Sequence, residues 1–340
     1  MSPNDSTSPS ATDAPATNSL ADIAAALHEA NTFAITTHIR PDGDAAGSSL
    51  GLCRILRDAG KTATVIDLGP TPERYLFLIQ EGECRTADDF DISSVDCIIV
   101  LDSGAIDRVP AFAAENQKHI PVINIDHHLS NTNFGRLNYV DTSASSVGEI
   151  ICALAQAADM PINASAAEAL WVAIVTDTGR FSYSNTSPKT MQLAAGLLET
   201  GIHTANINHA IYNAMPLRQL RLQGRALDHL ETHEDGRVAM VTLSLEDYKE
   251  LDCTPADAED VVNLPRSLSG VDVAVFLYEI PDSQDTKVSL RTTDNYDASA
   301  FCQTLGGGGH ARAAGCALQA RLPEASQIIL EKIHTTWFMT

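Results

Sequence analysis

Apolar and polar residues alternate along this chain in blocks whose spacing switches between strand and helix. SLADIAAALHEA (19–30) has apolar positions at helical spacing and Ser19 placed as an N-cap, which predicts a helix. FAITTH (33–38) is a short apolar run and predicts a buried strand. A Pro/Gly/Asp loop follows, and AAGSSLGLCRILRDAG (45–60) predicts a helix closed by Gly60. TATVIDL (62–68), DCIIVLDS (96–103) and PVINIDHH (121–128) predict further strands, and 146–158 and 165–178 predict helices. Strands alternating with helices imply βαβ units, so the expected fold class is α/β: a mostly parallel sheet flanked by helices.

The second half reads differently. Segments 188–200, 203–213 and 216–230 predict helices, followed by strands at VAMVTLS (238–244), VAVFLYEI (273–280) and TKVSLRT (286–292). A helix-like segment (298–304), a glycine-rich loop (306–309) and a last helix (323–337) complete a smaller α+β unit. The expected layout is a tail at 1–18, too poor in large apolar residues to order, a first domain at 19–185, a helical linker at 186–230 and a second domain at 231–340.

Composition narrows the setting. At 340 residues and 44% hydrophobic, the chain can build two cores. It has no apolar run of membrane-spanning length and no signal-peptide pattern at its start, so neither a membrane nor export is expected. Seven scattered cysteines form no CxxC pair, which fits a reducing cytoplasm. A formal charge of −22 argues against gripping long duplex nucleic acid, which is held by Lys and Arg on phosphates. A short oligonucleotide or mononucleotide is more compatible.

The placement of Asp and His carries the chemistry. Ligands of open α/β sheets bind at the carboxyl ends of strands. There the sequence places His38, Asp42 and Asp44, then Asp102, then Asp126, His127 and His128, while Asp177 ends the helix-like 170–176. Singly, each would be a turn former or helix cap. Gathered together, the carboxylates would raise one another's pKa values unless cations lay between them. Mixed carboxylate and imidazole without thiolate favours Mn2+, with Mg2+ or Co2+ as substitutes. Two ions about 3.5–4 Å apart clamp a phosphate and activate water. Asp102, at a strand end, is the natural bridging carboxylate.

These residues resemble the DHH phosphoesterase family. HIRPDGDAAGS (38–48) is similar to its first motif, Asp102 to its second, Asp126-His127-His128 to its third and TDTG (176–179) to its fourth. LGGGGHARAAG (305–315) resembles the glycine-rich motif of the DHH-associated domain. The layout looks most like the family's oligoribonuclease and 3′-phosphoadenosine 5′-phosphate phosphatase group. The resemblance implies His38, Asp42 and Asp102 on one ion, and Asp44, Asp102, His127 and Asp177 on the other. It implies catalytic roles for Asp102, for His128 on the phosphate side, and for Asp126 in orienting an imidazole. It also implies a substrate site at Gly307, Gly308, Gly309, His310 and Arg312, and Arg291 is a further candidate phosphate clamp. Arg180 lies beside Asp177.

Other readings share the motifs. A RecJ-type single-strand exonuclease would want an added nucleic-acid module and a more basic chain. A cyclic-dinucleotide phosphodiesterase could use the same site. An inorganic pyrophosphatase shares the catalytic half but lacks a GGGGH loop. A non-enzymatic nucleotide sensor could lose metal ligands, and none is missing here. A homodimer is left open.

Overall fold

A computed structural model describes residues 18–66, 68–69, 71–116, 120–258 and 260–339. The expected tail therefore lies outside the described residues up to position 17. Asn18 is paired backbone to backbone with Asn138. The chain divides into two units. One holds Leu78–His127, Asn131–Thr204 and the described residues up to Thr71; the other holds Pro72–Phe77, His128–Ser130 and the described residues from Ala205 onward.

The first unit is built on a six-stranded sheet in the order β3-β2-β1-β4-β5-β6, parallel throughout. Its strands are β1 (Thr32–Thr36), β2 (Thr62–Ile66), β3 (Cys84–Arg85), β4 (Cys97–Leu101), β5 (Val122–Asp126) and β6 (Leu137–Val140). The central strands are buried along nearly their whole length, and β4 and β5 throughout. Covered faces on both sides demand such continuous apolar runs. α1 (Leu20–Glu29), α2 (Gly43–Asp58), α3 (Ala111–Asn116), α4 (Val147–Ala157), α5 (Ala164–Asp177) and α6 (Pro188–Glu199) supply the layers. Ser19 caps α1 in a capping box with Asp22, as its position in sequence predicts. The edge strands β3 and β6 escape sequence reading because they are short and only partly buried.

The chain winds outward from β1 through β2 to β3, then returns to β4 on the other side of β1 and continues to β5 and β6. The reversal makes the carboxyl ends of β1 and β4 a topological switch point, where side-by-side loops diverge and leave a crevice.

α2 also carries a buried charge. Arg54 donates from Nε and Nη2 to both oxygens of Glu83, at 2.7 and 2.9 Å, and from Nη1 to Ser165 O at 2.8 Å. Burial pushes the Glu83 carboxyl up, but the Arg54 bonds outweigh it and hold the group below its ordinary value. A depressed carboxyl stabilises the fold above its unfolded pKa, and that share is lost as pH falls through the folded value. Glu83→Gln should cost about 3–5 kcal/mol at neutral pH, the usual result of stranding one buried partner. In thermal melts taken from pH 7 downward, the gap between wild type and variant should narrow progressively once pH falls below the ordinary Glu value of about 4.3. A gap that stays constant would show that the pair contributes nothing through charge.

The second unit contains α7 (Thr204–Tyr212), α8 (Leu217–Asp228), β7 (Glu231–His233), β8 (Val238–Leu243), α9 (Leu245–Glu250), α10 (Asn263–Arg266), β9 (Val273–Glu279), β10 (Thr286–Thr292), α11 (Ala298–Gln303), β11 (Gly308–His310), β12 (Ala313–Leu318) and α12 (Leu322–Ile333). The strands form a mixed sheet, β11-β12-β10-β9-β8-β7, in which only β8 and β9 run parallel. Val275, Leu277, Val288 and Leu290 pack on Phe301 of α11 and Ile329 of α12. Val241, Leu243 and Phe276 pack on Leu222 and Ala226 of α8 on the opposite face.

The expected glycine loop is a difference. Gly308–His310 form β11, a strand antiparallel to β12. A Cβ on Gly307 would lie 2.2 Å from Gly315 O, and one on Gly309 would lie 2.5 Å from Ala313 O. The close backbone approach needs glycine, and glycine's low strand preference disguises the strand as a loop in sequence.

Among the described residues no helix is long and apolar enough to cross a membrane. All seven cysteines are free.

Candidate metal centre

The switch point gathers the candidate ligands. β1 leads to His38 and β4 to Asp102, while β5 ends in Asp126 and leads to His127. Asp42 is the N-cap of α2, and its Oδ1 accepts from the backbone N–H of Asp44 and Ala45 at 3.0 and 3.1 Å. The capping role that Asp42 would play alone is thus real, and it coexists with membership of the cluster.

Asp44 and Asp177 meet through helix packing. Gly43, Gly47 and Gly51 form a stripe along α2 that faces α5. A Cβ would lie 2.4 Å from Thr176 Oγ1 at Gly43, 2.4 Å from Ala169 O at Gly47, and 2.7 Å from the Leu170 side chain at Gly51. The contacts run backward along α5, so the helices are antiparallel. The start of α2, with Asp44, therefore lies beside the end of α5, with Asp177. Four-residue spacing of small residues in a helix is the sequence signal of such close approach.

Ligand atoms of His38, Asp42 and Asp102 lie within 4.8 Å of one another, as do those of Asp44, His127 and Asp177. Asp102 borders both groups: its Oδ2 is 3.6 Å from His38 Nε2 and its Oδ1 is 3.6 Å from His127 Nε2. His127 Nε2 is also 3.9 Å from Asp44 and 3.7 Å from Asp177. The structure thus brings together all six residues expected from the sequence.

The electrostatics of the group are unbalanced. Burial, then the charges of Asp102, Asp177 and Asp42, push the Asp44 carboxyl well above the ordinary carboxylate range, against a backbone bond from Val147. Burial opposes protonation of His38, but Asp102 and Asp42 outweigh it and raise that imidazole above its ordinary value. Carboxylates in this excess, mixed with imidazole nitrogen, form a donor set suited to divalent cations.

Supporting residues fix the ligands. Asp102 has a left-handed backbone, φ 54°. The next carbonyl, Ser103 O, accepts from Asn124 Nδ2 at 3.1 Å and Asn131 Nδ2 at 3.3 Å. Asn131 also donates to the buried Asp126 at 2.6 Å. His127 Nδ1 lies 3.2 Å from Ala144 O. A carbonyl only accepts, so Nδ1 carries a proton, and Nε2 is the ring nitrogen turned toward the carboxylates. Val147 and Gly148 donate their N–H groups to Asp44 at 2.6 and 2.9 Å. Asn185 Nδ2 donates to Ser145 O and Asp177 O, at 3.0 and 3.1 Å. Asn124, Asn131, Asn185 and the 144–148 turn carried no sequence signal, because polar residues in loops are common.

Candidate substrate residues sit in the second unit. The rings of His128 and His310 stack at 4.5 Å, both within this unit. Arg312 is turned to its own unit: Nε donates to Asp294 Oδ1 and Nη2 to Asp294 O, each at 2.9 Å. Arg291 lies on β10 on the same face as Lys287 and Ser289, with Nη1 donating to Leu290 O at 3.0 Å. Arg180 follows α5 in a left-handed conformation, φ 61°.

A doubly wound parallel sheet with carboxylates and imidazoles at its switch point, followed by a mixed-sheet unit, defines a class that sequence comparison identifies. The model of the DHH family, N-terminal domain, matches residues 32–174, and that of the DHHA1 domain matches 235–335. The chain belongs to the DHH family and is a hydrolase of that family. It is similar to the bifunctional oligoribonuclease and PAP phosphatase NrnA of Thermus thermophilus, 33% identical over 301 residues and covering 88% of each chain. The Bacillus subtilis protein of the same description is 28% identical over 311 residues, 88% of this chain and 93% of that one. Among solved structures, an exopolyphosphatase-related protein from Bacteroides fragilis superimposes with a TM-score of 0.84 at 27% identity, over 93% of this chain and 95% of that one. RecJ from Thermus thermophilus in complex with Mn2+ shares the fold, with a TM-score of 0.53 at 13% identity, over 93% of this chain and 54% of that one.

Proposed function

We propose that this chain is a cytoplasmic, manganese-dependent phosphoesterase that cleaves short oligonucleotides to 5′-mononucleotides and converts 3′-phosphoadenosine 5′-phosphate to AMP. Asp102 carries the reading: one buried carboxylate turns one oxygen toward His38 and the other toward His127. His38, Asp42 and Asp102 would hold one cation, and Asp44, Asp102, His127 and Asp177 the other. When bound, such a pair neutralises phosphate charge and makes water nucleophilic near neutral pH. The remaining work belongs to the chain. The Ala144 carbonyl keeps His127 Nε2 turned to the carboxylate side. The α4 amides hold Asp44 against the repulsion of its neighbours. His128 would act on the phosphate side, with Asp126 orienting an imidazole. In the second unit, His310 follows glycines that leave the backbone bare and would bind the distal phosphate or base, with Arg291 as a further cation. Arg312, whose guanidinium is held by Asp294, would contact substrate phosphate or base beside His310.

The names of the two NrnA relatives support the substrate class, and the acidity of the chain suits small substrates better than long ones. Purified protein with Mn2+ should be offered the linear dinucleotide pApA, 3′-phosphoadenosine 5′-phosphate, cyclic di-AMP and a long single strand. Turnover of the first two, abolished by chelation, is expected. Preference for cyclic di-AMP would move the assignment to a cyclic-dinucleotide phosphodiesterase, and preference for the long strand to an exonuclease. No turnover with any cation would refute the enzyme reading.

A further inference from the structure

Glu149 lies outside the ligand cluster and is buried, with 1% of its surface exposed. Burying a carboxylate is costly unless its oxygens are well bonded. Its Oε2 accepts from Ser145 N at 3.2 Å, Ser145 Oγ at 2.8 Å and Thr190 Oγ1 at 2.7 Å, and Lys189 Nζ lies 3.2 Å from Oε1. Glu149 thus fastens the turn before α4 to the start of α6.

That turn is the common support of three ligands. The Ala144–Ser145 peptide has its N–H on Glu149 and its C=O on His127 Nδ1, so one rigid plane joins the two side chains. Two residues on, Val147 and Gly148 donate to Asp44. Ser145 O accepts from Asn185, which also holds Asp177 O. His127, Asp44 and Asp177 are one of the two groupings. His38 and Asp42 come instead from the loop after β1, where Asp42 is fixed by the first amides of α2.

We propose that Glu149 is a positioning residue that orients the Asp44–His127–Asp177 grouping alone, through the 144–148 turn, so that its loss weakens one of two cation sites and spares the other. The inference rests on the cation assignment made under Proposed function. A purely structural Glu149 would lower stability and affect both sites alike.

Calorimetric titration with Mn2+ separates these cases. Wild type should bind two ions. Glu149→Gln keeps the shape but replaces one accepting oxygen by a donating amide. It should weaken one ion about 10–100-fold, the usual effect of losing a group that orients a ligand, with the other ion changed less than about threefold. Thr190→Val, a milder change, should weaken the same ion about fivefold, as one lost hydrogen bond would, and keeps the inference testable if Glu149→Gln fails to fold. Equal weakening of both ions, or no weakening in a folded variant, overturns the proposal. Wild type that binds fewer than two ions overturns the cation assignment, and this inference with it.

Discussion

Asp102→Asn should remain folded and lose at least about a thousandfold in turnover, equivalent to about 4 kcal/mol of transition-state stabilisation. Asparagine is the informative substitution because position 102 has φ 54°, a conformation that Asn tolerates and most side chains resist. Alanine would mix backbone strain with the lost charge. An amide offers one oxygen where the carboxylate offers two, so one of the facing imidazoles meets an NH2 group instead of a shared negative charge. The same change should relieve the folded protein. Asp102 is the largest charge raising Asp44, second only to burial. A carboxyl with a raised folded pKa weakens the fold as pH rises past its unfolded value, so removing one cause of the rise stabilises the cation-free variant at neutral pH. The change also removes the charge that raises His38, so thermal melts should place cation-free Asp102→Asn close to wild type. Saturating Mn2+ should stabilise wild type by about 2.7 kcal/mol for each ion bound at a hundred times its Kd and the variant by much less. Turnover within tenfold of wild type would remove Asp102 from the centre of the mechanism.

The second large effect comes from a residue with no side chain. Gly47→Ala should destabilise by about 2–4 kcal/mol, more than an ordinary surface or helix substitution. The added methyl would meet backbone atoms, Ala169 O at 2.4 Å and Ala173 N at 2.7 Å, and neither can rotate away. α2 and α5 must separate, and with them Asp44 and Asp177. Gly51→Ala is the internal comparison. Its methyl would meet the Leu170 side chain at 2.7 Å, and a side chain can move where a backbone cannot. Chemical denaturation should rank Gly47→Ala well below Gly51→Ala, with turnover falling in the same order. Equal stabilities, or the reverse order, would mean that the two helices are not held by backbone contact at this stripe.

Much of this protein is written locally. β1, β2, β4 and β5 are legible because strands covered on both faces must be apolar throughout. α1 is legible because Ser19 and the apolar spacing both act within a few residues. The ligands are legible because a parallel sheet delivers successive strand ends to one edge, so chain order alone places His38, Asp102, Asp126 and His127 there. β11 is not legible, because glycine's reason for being in a strand lies in the neighbouring strand, at Gly315 and Ala313. The pairing of Arg312 with Asp294 is likewise visible only once the fold brings the two together.

The sequence by itself determined the central strands and main helices of the first unit, the family, and which acidic and imidazole groups reach the edge of the sheet. Only the tertiary structure decided that Asp102 faces both imidazoles, that a glycine stripe brings Asp44 to Asp177, and that Glu149 braces the turn behind His127. Propensity and periodicity act between neighbours in the chain. These pairings join residues tens of positions apart, and close packing of buried surfaces selects them.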